Sequence, residues 1–210
     1  MHTTPLDNWD AQLAKRIFDV VFSLLVIVGL LSWLLPVLAI LIKLTSKGPV
    51  FFTQRRTGRD NQWFWCFKLR TMVVNAQSDT LQATENDSRI TPFGKFLRKT
   101  SMDELPQFFN VLIGDMSVVG PRPHMLKHTE DFSAELNNFM ARHKIKPGIT
   151  GLAQSKGYRG ETKELEKKKI RVKLDLFYIN NWSFLFDLKI IFNTIIQIIK
   201  QDEEPQKITE

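Results

Sequence analysis

The stretch IFDVVFSLLVIVGLLSWLLPVLAILI, residues 17–42, contains a single charged residue, Asp19, near its start. At 1.5 Å per residue this run forms a helix of about 39 Å, longer than the roughly 30 Å hydrocarbon core of a bilayer. Its hydropathy therefore predicts a membrane segment. The run is too long for the apolar region of a signal peptide, and no small-residue cleavage site follows it.

Basic residues flank this segment on both sides, with Lys15 and Arg16 before it and Lys43 and Lys47 after it. Because cations favour the cytoplasmic face, this arrangement favours both ends on one side of the membrane. Pro36 removes a backbone N–H and predicts a bend in the second half of the run. The residues alone leave two topologies open, a re-entrant helix–break–helix and a kinked spanning helix.

The composition of the 210-residue chain fits a globular domain with membrane character, with 43% hydrophobic and 24% charged residues. A formal net charge of +7 indicates an anionic partner, which could be nucleic acid, acidic lipid or a nucleotide-type substrate. Cys66 is the sole cysteine. A single thiol excludes an internal disulfide and a cysteine-based zinc site, and it favours a reducing cytoplasmic setting.

Residues 50–70 predict a β-hairpin. Two aromatic-rich runs, 50–56 and 62–70, flank a turn that contains Gly, Asp and Asn. The aromatic side chains fit either a core or a contact with lipid headgroups. Lys68 and Arg70 end the second run and are candidate phosphate ligands, with isolated surface cations as the alternative.

Asp103 and Glu104 are adjacent carboxylates in a cationic and apolar neighbourhood, preceded by Arg89, Lys95, Arg98 and Lys99. Such a combination suits a phosphorylated substrate that is bridged by a metal ion. The structural alternative is helix capping. In that interpretation Asp103 is the N-cap, or Ser101 and Glu104 form a capping box, for a short buried helix over 105–113.

In Pro121-Arg122-Pro123, two prolines fix the backbone around one arginine, so little entropy is lost in presenting the guanidinium. This pattern predicts a ligand for phosphate or a flat base, and a structural arginine in a turn is the alternative. His124 and His128 are four residues apart. No third metal ligand follows at a recognisable spacing, so a zinc site is not expected.

The remaining segments are predicted from apolar spacing and turn residues. Trp182 and Phe184 are predicted to anchor an amphipathic helix at 182–200 in the membrane plane, with a core helix as the alternative. The other predictions are a polar helix and loop at 75–87, a helix at 136–145, a glycine-rich basic loop at 146–160 and a charged helix at 161–179. The loop matches neither a P-loop nor a Rossmann fingerprint.

Together these segments resemble the bacterial sugar transferases, the monotopic phosphoglycosyl transferases. The resemblance covers residues 15–200 in the family's order. It is carried by the basic-flanked apolar segment and by four motifs, FKLRTM at 67–72, RKTSMDELPQ at 98–107, VVGPRP at 118–123 and KPGITG at 146–151. The resemblance implies a helix-rich α+β fold, with a re-entrant membrane helix in 1–47, a cytoplasmic catalytic domain in 48–200 that ends in an interfacial helix, and a polar tail in 201–210.

The resemblance further implies transfer of a sugar phosphate from a UDP-sugar to polyprenyl (undecaprenyl) phosphate, with release of UMP, at the cytoplasmic face of the bacterial inner membrane. By that resemblance Asp103 attacks the sugar-linked phosphorus to form an acyl-phosphate intermediate, and Glu104 holds Mg²⁺ on the diphosphate. The residues assigned to phosphate or nucleotide binding, or to its support, are Lys68, Arg70, Arg98, Pro121, Arg122, Pro123, Asp175 and Tyr178.

Two rival functions stay open at this point. One is a membrane-associated, metal-dependent nucleotide-sugar hydrolase that uses water as the acceptor, and the other is a non-enzymatic basic membrane adaptor. The expected partners are the UDP-sugar, polyprenyl phosphate and membrane lipid, without nucleic acid. We expect a minimal catalytic unit that initiates one glycan or glycoconjugate. The sequence indicates neither the sugar nor the oligomeric state.

Overall fold

The computed structural model describes residues 3–73, 87–158 and 164–200. It is a helix-rich α+β structure, as predicted. Its elements in chain order are α1 (Trp9–Val26), α2 (Ser32–Thr45), β1 (Phe51–Thr57), β2 (Trp63–Leu69), α3 (Pro92–Lys99), α4 (Gln107–Ile113), β3 (Ser117–Val119), α5 (Leu126–Glu135), β4 (Gly148–Thr150), α6 (Leu152–Ser155), α7 (Leu165–Asn180) and α8 (Phe184–Lys200).

Helices α1 and α2 form one continuous helix, Trp9–Thr45, of 37 residues. It is long and apolar enough to cross a membrane, with a mean hydropathy of 2.8 over an 18-residue window. The irregularity in this helix is a π-helical segment at Ile27–Leu31, and the chain stays helical through Pro36. The Ser32 hydroxyl donates to the Val28 carbonyl (2.6 Å), which helps to satisfy the wider turn.

This long helix shares its hydrophobic core with the rest of the chain. Leu31 is buried in the same cluster as Val111 and Tyr178. Further along, Leu38 and Ile42 of α2 lie in a second cluster with residues of β2 and α3. The predicted boundary between 1–47 and 48–200 therefore separates segments that pack together along the length of the helix.

Polar contacts also join the start of the helix to the end of the chain. The Lys15 ammonium donates to Asp187 Oδ2 (2.7 Å) and to the Tyr178 hydroxyl (3.1 Å). Tyr178 in turn donates to Asp187 Oδ1 (2.7 Å), and Trp182 Nε1 donates to Asp187 Oδ2 (3.0 Å). Asp187 is fully buried and accepts three hydrogen bonds.

Asp19, one turn after Lys15, is the second carboxylate at this contact. Its Oδ1 accepts from the Ser117 hydroxyl (3.0 Å) and from the Val118 backbone N–H (2.9 Å). The sequence shows Asp19 as a charge inside an apolar run, and the structure shows that it bonds to β3. We call this set of buried polar groups, Lys15, Asp19, Tyr178 and Asp187, the helix seam.

Arg16 makes a further connection, because its guanidinium donates to the last carbonyls of α4, those of Val111 (2.6 Å) and Leu112 (2.8 Å). A cation at a helix C-terminus satisfies orphan carbonyls and interacts favourably with the helix dipole. The basic residues that precede the apolar run are therefore bonded to the folded chain, whereas Lys43 and Lys47, which follow it, are exposed.

The predicted hairpin is confirmed: β1 and β2 pair antiparallel, with Gln54 opposite Cys66. The side chain of Asn110 extends the sheet on the other edge of β2, because its amide bonds to the backbone of Phe67 (2.9 Å) and Trp65 (2.6 Å). A strand register that is pinned in this way keeps the side chains of β2 on their assigned faces.

The glycine-rich segment 146–160 contains more structure than predicted. Strand β4 pairs in parallel with β3, with Ser117 opposite Gly148, and α6 follows directly. The prediction of a plain loop is wrong here because the stabilising partner lies about 30 residues away in sequence. The predicted helix at 136–145 is instead a 3₁₀ segment, Phe139–Lys144, after the end of α5.

Helix α8 turns an apolar face outward. Its buried face carries Asp187, Ile190 and Thr194, whereas Leu185, Phe192, Ile195 and Ile199 are exposed. Trp182 is 9% exposed and its N–H bonds to Asp187, so its predicted role as a membrane anchor is wrong. Phe184 is exposed, as an anchor requires. The prediction at 201–210 lies outside the described residues, as do parts of the predictions at 75–87, 146–160 and 161–179.

Candidate active site

The carboxylate pair lies on a 3₁₀ turn, Met102–Glu104, between α3 and α4. Ser101 precedes the turn in the left-handed region (φ 55°). Helix α4 begins at Gln107 with Pro106 in the N-cap position. The alternative in which Asp103 caps this helix is therefore wrong, and the carboxylate pair is free to face neighbouring elements.

Glu104 is held by two cations. Its Oε1 accepts from Lys68 Nζ (2.7 Å) and from Arg122 Nη2 (2.6 Å), and its Oε2 accepts from Arg122 Nη1 (3.0 Å). Burial alone would raise the pKa of Glu104, but the charges of Arg122 and Lys68 outweigh burial and hold that pKa well below its usual range. Glu104 is therefore ionised, and its charge raises the pKa of Arg122.

Asp103 differs from Glu104 in its hydrogen bonds and in its pKa. It is buried (9% exposed), and its carboxylate accepts no hydrogen bond from the residues that the structure describes. Burial, and then the charge of Glu104, raise the pKa of Asp103 from 3.8 to about 6. At neutral pH Asp103 is thus an ionised carboxylate that is more basic than usual, and no hydrogen bond from the described residues occupies its oxygens.

Arg98 completes the cationic surroundings of Asp103. Its Nε donates to the Thr71 hydroxyl (2.8 Å), directly after the hairpin. Among the charges around Arg98, that of Asp103 has the largest effect on the pKa of Arg98. The structure therefore brings four of the predicted residues, Lys68, Arg98, Glu104 and Arg122, around Asp103.

Arg122 is presented by a rigid backbone. Each of the four successive carbonyls of residues 121–124 accepts a hydrogen bond from a different group. The donors, in order, are the Gly148 N–H (3.0 Å), Arg142 Nη2 (2.9 Å), Arg56 Nη1 (3.3 Å) and the Thr57 N–H (3.0 Å). The prolines at 121 and 123 preset the backbone, and these bonds fix its position against β1 and β4.

The comparison with known proteins identifies the family. The sequence profile described as "Bacterial sugar transferase" matches residues 10–201. The chain belongs to this family. It is 53% identical over 184 residues to a UDP-glucose:undecaprenyl-phosphate glucose-1-phosphate transferase of Klebsiella pneumoniae, an alignment that covers 87% of this chain and 39% of the relative.

Proteins of the same printed name occur in Escherichia coli K12 and Caulobacter vibrioides. The first is 48% identical, with 94% of this chain and 42% of the relative covered. The second is 43% identical, with 94% and 74% covered. This bacterial sugar transferase thus spans about two fifths of the length of the first two relatives and most of the third.

Arg142 is a functional candidate that the sequence did not reveal. It is 2% exposed, forms an ion pair with Asp175 (2.7 Å), and bonds to the Arg122 carbonyl and to His124 Nδ1 (3.0 Å). An arginine always donates, so His124 accepts at Nδ1 and carries its proton on Nε2. Burial, and then the charge of Arg142, lower the pKa of His124 well below 6.5. In the sequence, Arg142 is one of 29 Lys and Arg residues, and no motif distinguished it from the others.

Three predicted site residues, Asp175, Tyr178 and Arg70, bond to groups other than Asp103 and Glu104. Asp175 forms an ion pair with Arg142, which donates to the Arg122 carbonyl, and Arg122 in turn pairs with Glu104. Tyr178 belongs to the helix seam. Arg70 donates through Nη2 to the Ser46 carbonyl (2.7 Å), at the end of α2. The assignment of Arg70 to phosphate or nucleotide binding, and of Asp175 and Tyr178 to its support, stays a prediction, with these contacts as its structural setting.

The residues around Glu104 are compatible with Mg²⁺. Within the described ranges, no group of three or more His, Cys, Asp or Glu side chains could hold a metal ion. Mg²⁺ is commonly bound by one or two carboxylates together with substrate phosphates, and Asp103 and Glu104 supply that number of hard oxygen ligands. A metal at Glu104 thus requires a phosphorylated substrate to complete its coordination.

Proposed function

We propose that this chain transfers a sugar 1-phosphate from a UDP-sugar to undecaprenyl phosphate through a covalent intermediate on Asp103. The observation that carries the proposal is the contrast within the carboxylate pair. Glu104 accepts three charge-assisted hydrogen bonds, whereas Asp103, buried beside it, accepts none within the described residues. A nucleophile needs an available lone pair, and a raised pKa makes the carboxylate of Asp103 more nucleophilic.

In the first step an oxygen of the Asp103 carboxylate attacks the phosphorus that bears the sugar. A new bond joins this oxygen to phosphorus, the diphosphate bridge breaks, and the electron pair leaves with UMP as a dianion. No proton moves. The total charge is −3 before the step, from the Asp103 carboxylate (−1) and the UDP-sugar diphosphate (−2), and −3 after it, from the acyl-phosphate intermediate (−1) and UMP (−2). Lys68, Arg98 and Arg122 lie where cations are needed to offset the negative charge of the diphosphate.

In the second step a phosphate oxygen of the lipid attacks the same phosphorus. The bond from phosphorus to Asp103 breaks, the carboxylate takes back its electron pair, and a polyprenyl diphosphate sugar forms. This step also needs no proton, because the lipid phosphate is an ionised nucleophile and the leaving carboxylate has a pKa of about 6. The enzyme returns to its starting state with Asp103 ionised.

Glu104 is the residue that would hold Mg²⁺ on the diphosphate. When bound, Mg²⁺ supplies charge neutralisation at the phosphate oxygens. The contribution of the chain is to keep Glu104 ionised, since Arg122 and Lys68 hold its pKa low, and to keep Arg122 fixed through residues 121–124. In this proposal Arg122 and Lys68 both lie near the diphosphate of the donor.

A re-entrant placement of the long helix at the cytoplasmic face of the inner membrane is part of this proposal. A straight helix of 37 residues measures about 55 Å, so the ends of a spanning helix lie on opposite sides of a bilayer. Here Arg16 bonds to α4 near one end, and Arg70 bonds to Ser46 at the other. Contact of both ends with one folded unit supports entry and exit by the same face, and the exposed face of α8 suits the membrane surface.

The test measures nucleotide release by the detergent-solubilised full chain with Mg²⁺, with and without undecaprenyl phosphate. UDP-glucose is the first donor, because the names of the relatives in Klebsiella pneumoniae and Escherichia coli specify it, followed by other UDP-sugars. We expect UMP release that depends on the lipid and falls at least a thousandfold in Asp103→Asn. UDP release, lipid-independent hydrolysis or full activity of Asp103→Asn would refute the mechanism.

A further inference from the structure

Arg70 carries a buried charge that the proposed transfer step with Lys68, Arg98 and Arg122 does not use. It is 6% exposed and follows directly after Leu69, the last residue of β2. Its backbone N–H donates to the Val50 carbonyl (2.9 Å), so it is fixed where the hairpin meets the connection from α2. The side chain therefore lies between the end of the apolar helix and the carboxylate pair.

The bonds of Arg70 involve one nitrogen. Nη2 donates to the Ser46 carbonyl (2.7 Å), the Ser46 hydroxyl (3.0 Å) and, more weakly, the Ile42 carbonyl (3.5 Å). Nε and Nη1 are buried and have no hydrogen-bond partner in the part of the chain that is described. Capping the C-terminus of α2 thus leaves three of the five guanidinium N–H groups without an acceptor among the described residues.

No carboxylate neutralises Arg70 among the described residues. Of the three fully buried lysines and arginines that the structure describes, Lys15 and Arg142 each form an ion pair with a carboxylate, whereas Arg70 bonds to uncharged oxygens. A buried charge without a counter-ion is costly to the fold. An anion that arrives as a ligand would supply both the missing charge and the missing acceptors.

The surroundings of Arg70 indicate the kind of anion. On one side lie the exposed Lys43 and Lys47, at the end of the apolar helix. On the other side Thr71, the next residue, accepts a bond from Arg98, which is the electrostatic neighbour of Asp103. Positive charge thus continues from the membrane end of α2 to the nucleophile. Next to this path Ile42 and Met102 belong to one apolar cluster, which suits a hydrocarbon tail.

We propose that Arg70 binds the phosphate monoester of the lipid acceptor, in a subsite separate from that of the donor diphosphate. The identity of the anion as the acceptor rests on the proposed function, whereas the subsite rests on the contacts of Arg70. Lys68 precedes Arg70 by two residues, so the two side chains emerge about 7 Å apart along the strand direction and toward the same side. Separate cations for donor and acceptor reduce the repulsion between two phosphate groups that must react.

The test compares the full-length wild type with Arg70→Gln in detergent micelles and measures retention of radiolabelled lipid without any donor. Three lipids are used: undecaprenyl phosphate, undecaprenol, which lacks the phosphate, and phosphatidic acid, a phosphate monoester on a different tail. We expect retention of undecaprenyl phosphate to weaken at least tenfold in Arg70→Gln and retention of the other two to stay unchanged. Arg70→Lys, which keeps the charge, recovers part of the loss.

Two control variants separate binding from structure. Ser46→Ala removes a hydroxyl partner of Arg70 but leaves the charge, and it should retain undecaprenyl phosphate like the wild type. Lys47→Gln removes a neighbouring exposed cation and should weaken both phosphorylated lipids slightly and equally. Equal retention of undecaprenyl phosphate by wild type and Arg70→Gln, or equal loss of all three lipids, would overturn the proposal. Equal loss of phosphatidic acid would also overturn it, since Arg70 would then be a general contact for anionic lipid.

A second readout distinguishes this inference from the proposed function. Exchange of label between UMP and the UDP-sugar needs the first step alone, so it should persist in Arg70→Gln at wild-type rate. Absence of exchange in the wild type would refute the covalent mechanism while the lipid-retention result stayed interpretable. Loss of exchange in Arg70→Gln with normal lipid retention would place Arg70 in the donor site and overturn the inference.

Discussion

Two carboxylate pairs in this molecule, each beside a lysine, differ in how many hydrogen bonds their members accept. In the helix seam, Asp187 accepts three hydrogen bonds and Asp19 accepts two. In the candidate active site, Glu104 also accepts three, but Asp103 accepts none from the described residues. The seam satisfies every carboxylate, as a structural contact requires, whereas the site leaves one carboxylate available for chemistry.

The largest expected effect comes from breaking the seam. Asp187→Ala leaves the Lys15 ammonium buried without its counter-ion, so we expect a loss of about 3–5 kcal/mol in the free energy of unfolding. Unfolding of the detergent-solubilised chain measures it. Glu166→Ala, which removes an exposed ion pair with Lys169, is the control and should cost less than about 0.5 kcal/mol. Similar losses in both variants would mean that the seam contributes no more than a surface pair.

Neutralising Asp103 should raise the free energy of unfolding instead of lowering it. The pKa of about 6, against 3.8 in the unfolded chain, corresponds to a destabilisation of about 3 kcal/mol by the ionised carboxylate. Because the folded chain holds its proton up to a higher pH, wild-type stability falls as pH rises from about 4 to 6. Asp103→Asn should therefore be more stable than the wild type at pH 8, and this advantage should vanish as pH falls through 6 toward 4.

Glu104→Gln is the matched control for this prediction, since it neutralises the adjacent carboxylate. It leaves Arg122 and Lys68 without their ionic partner, so it should be less stable than the wild type at pH 8. Thermal unfolding of the two variants at pH 5 and pH 8 measures both effects. If both variants shift in the same direction at pH 8, the contrast between the two carboxylates is not real.

The smallest effect concerns the support of Arg122. In Arg142→Lys the ammonium cannot bond to Asp175, His124 and the Arg122 carbonyl in the fixed geometry of a guanidinium. We expect kcat for UMP release to fall about tenfold, because Arg122 is less firmly positioned. Lys169→Arg, at an exposed position, should leave kcat unchanged. A normal kcat in Arg142→Lys would show that the prolines alone hold Arg122.

Local sequence patterns predicted the elements that depend on near neighbours. Aromatic-rich runs around turn residues predicted the hairpin, and hydropathy predicted the long helix. The family motifs located Asp103, Glu104 and the cations that the structure brings around them. Contacts that join distant segments left no local signal: strand β4 needs β3 as its partner, and Trp182 looked like a membrane anchor because its bond to Asp187 depends on tertiary packing.

The helix seam has a consequence for biosynthesis. Lys15 is made 172 residues before Asp187, its buried partner, an interval of about 10–30 s at ordinary rates of translation. Throughout that interval Lys15 lacks Asp187 as its partner, whereas the donors to Asp19, Ser117 and Val118, follow Asp19 by 98 and 99 residues. Unpaired charges are expelled from hydrocarbon. In the proposed membrane placement, Lys15 therefore stays at the membrane surface, in water, until α8 has been synthesised.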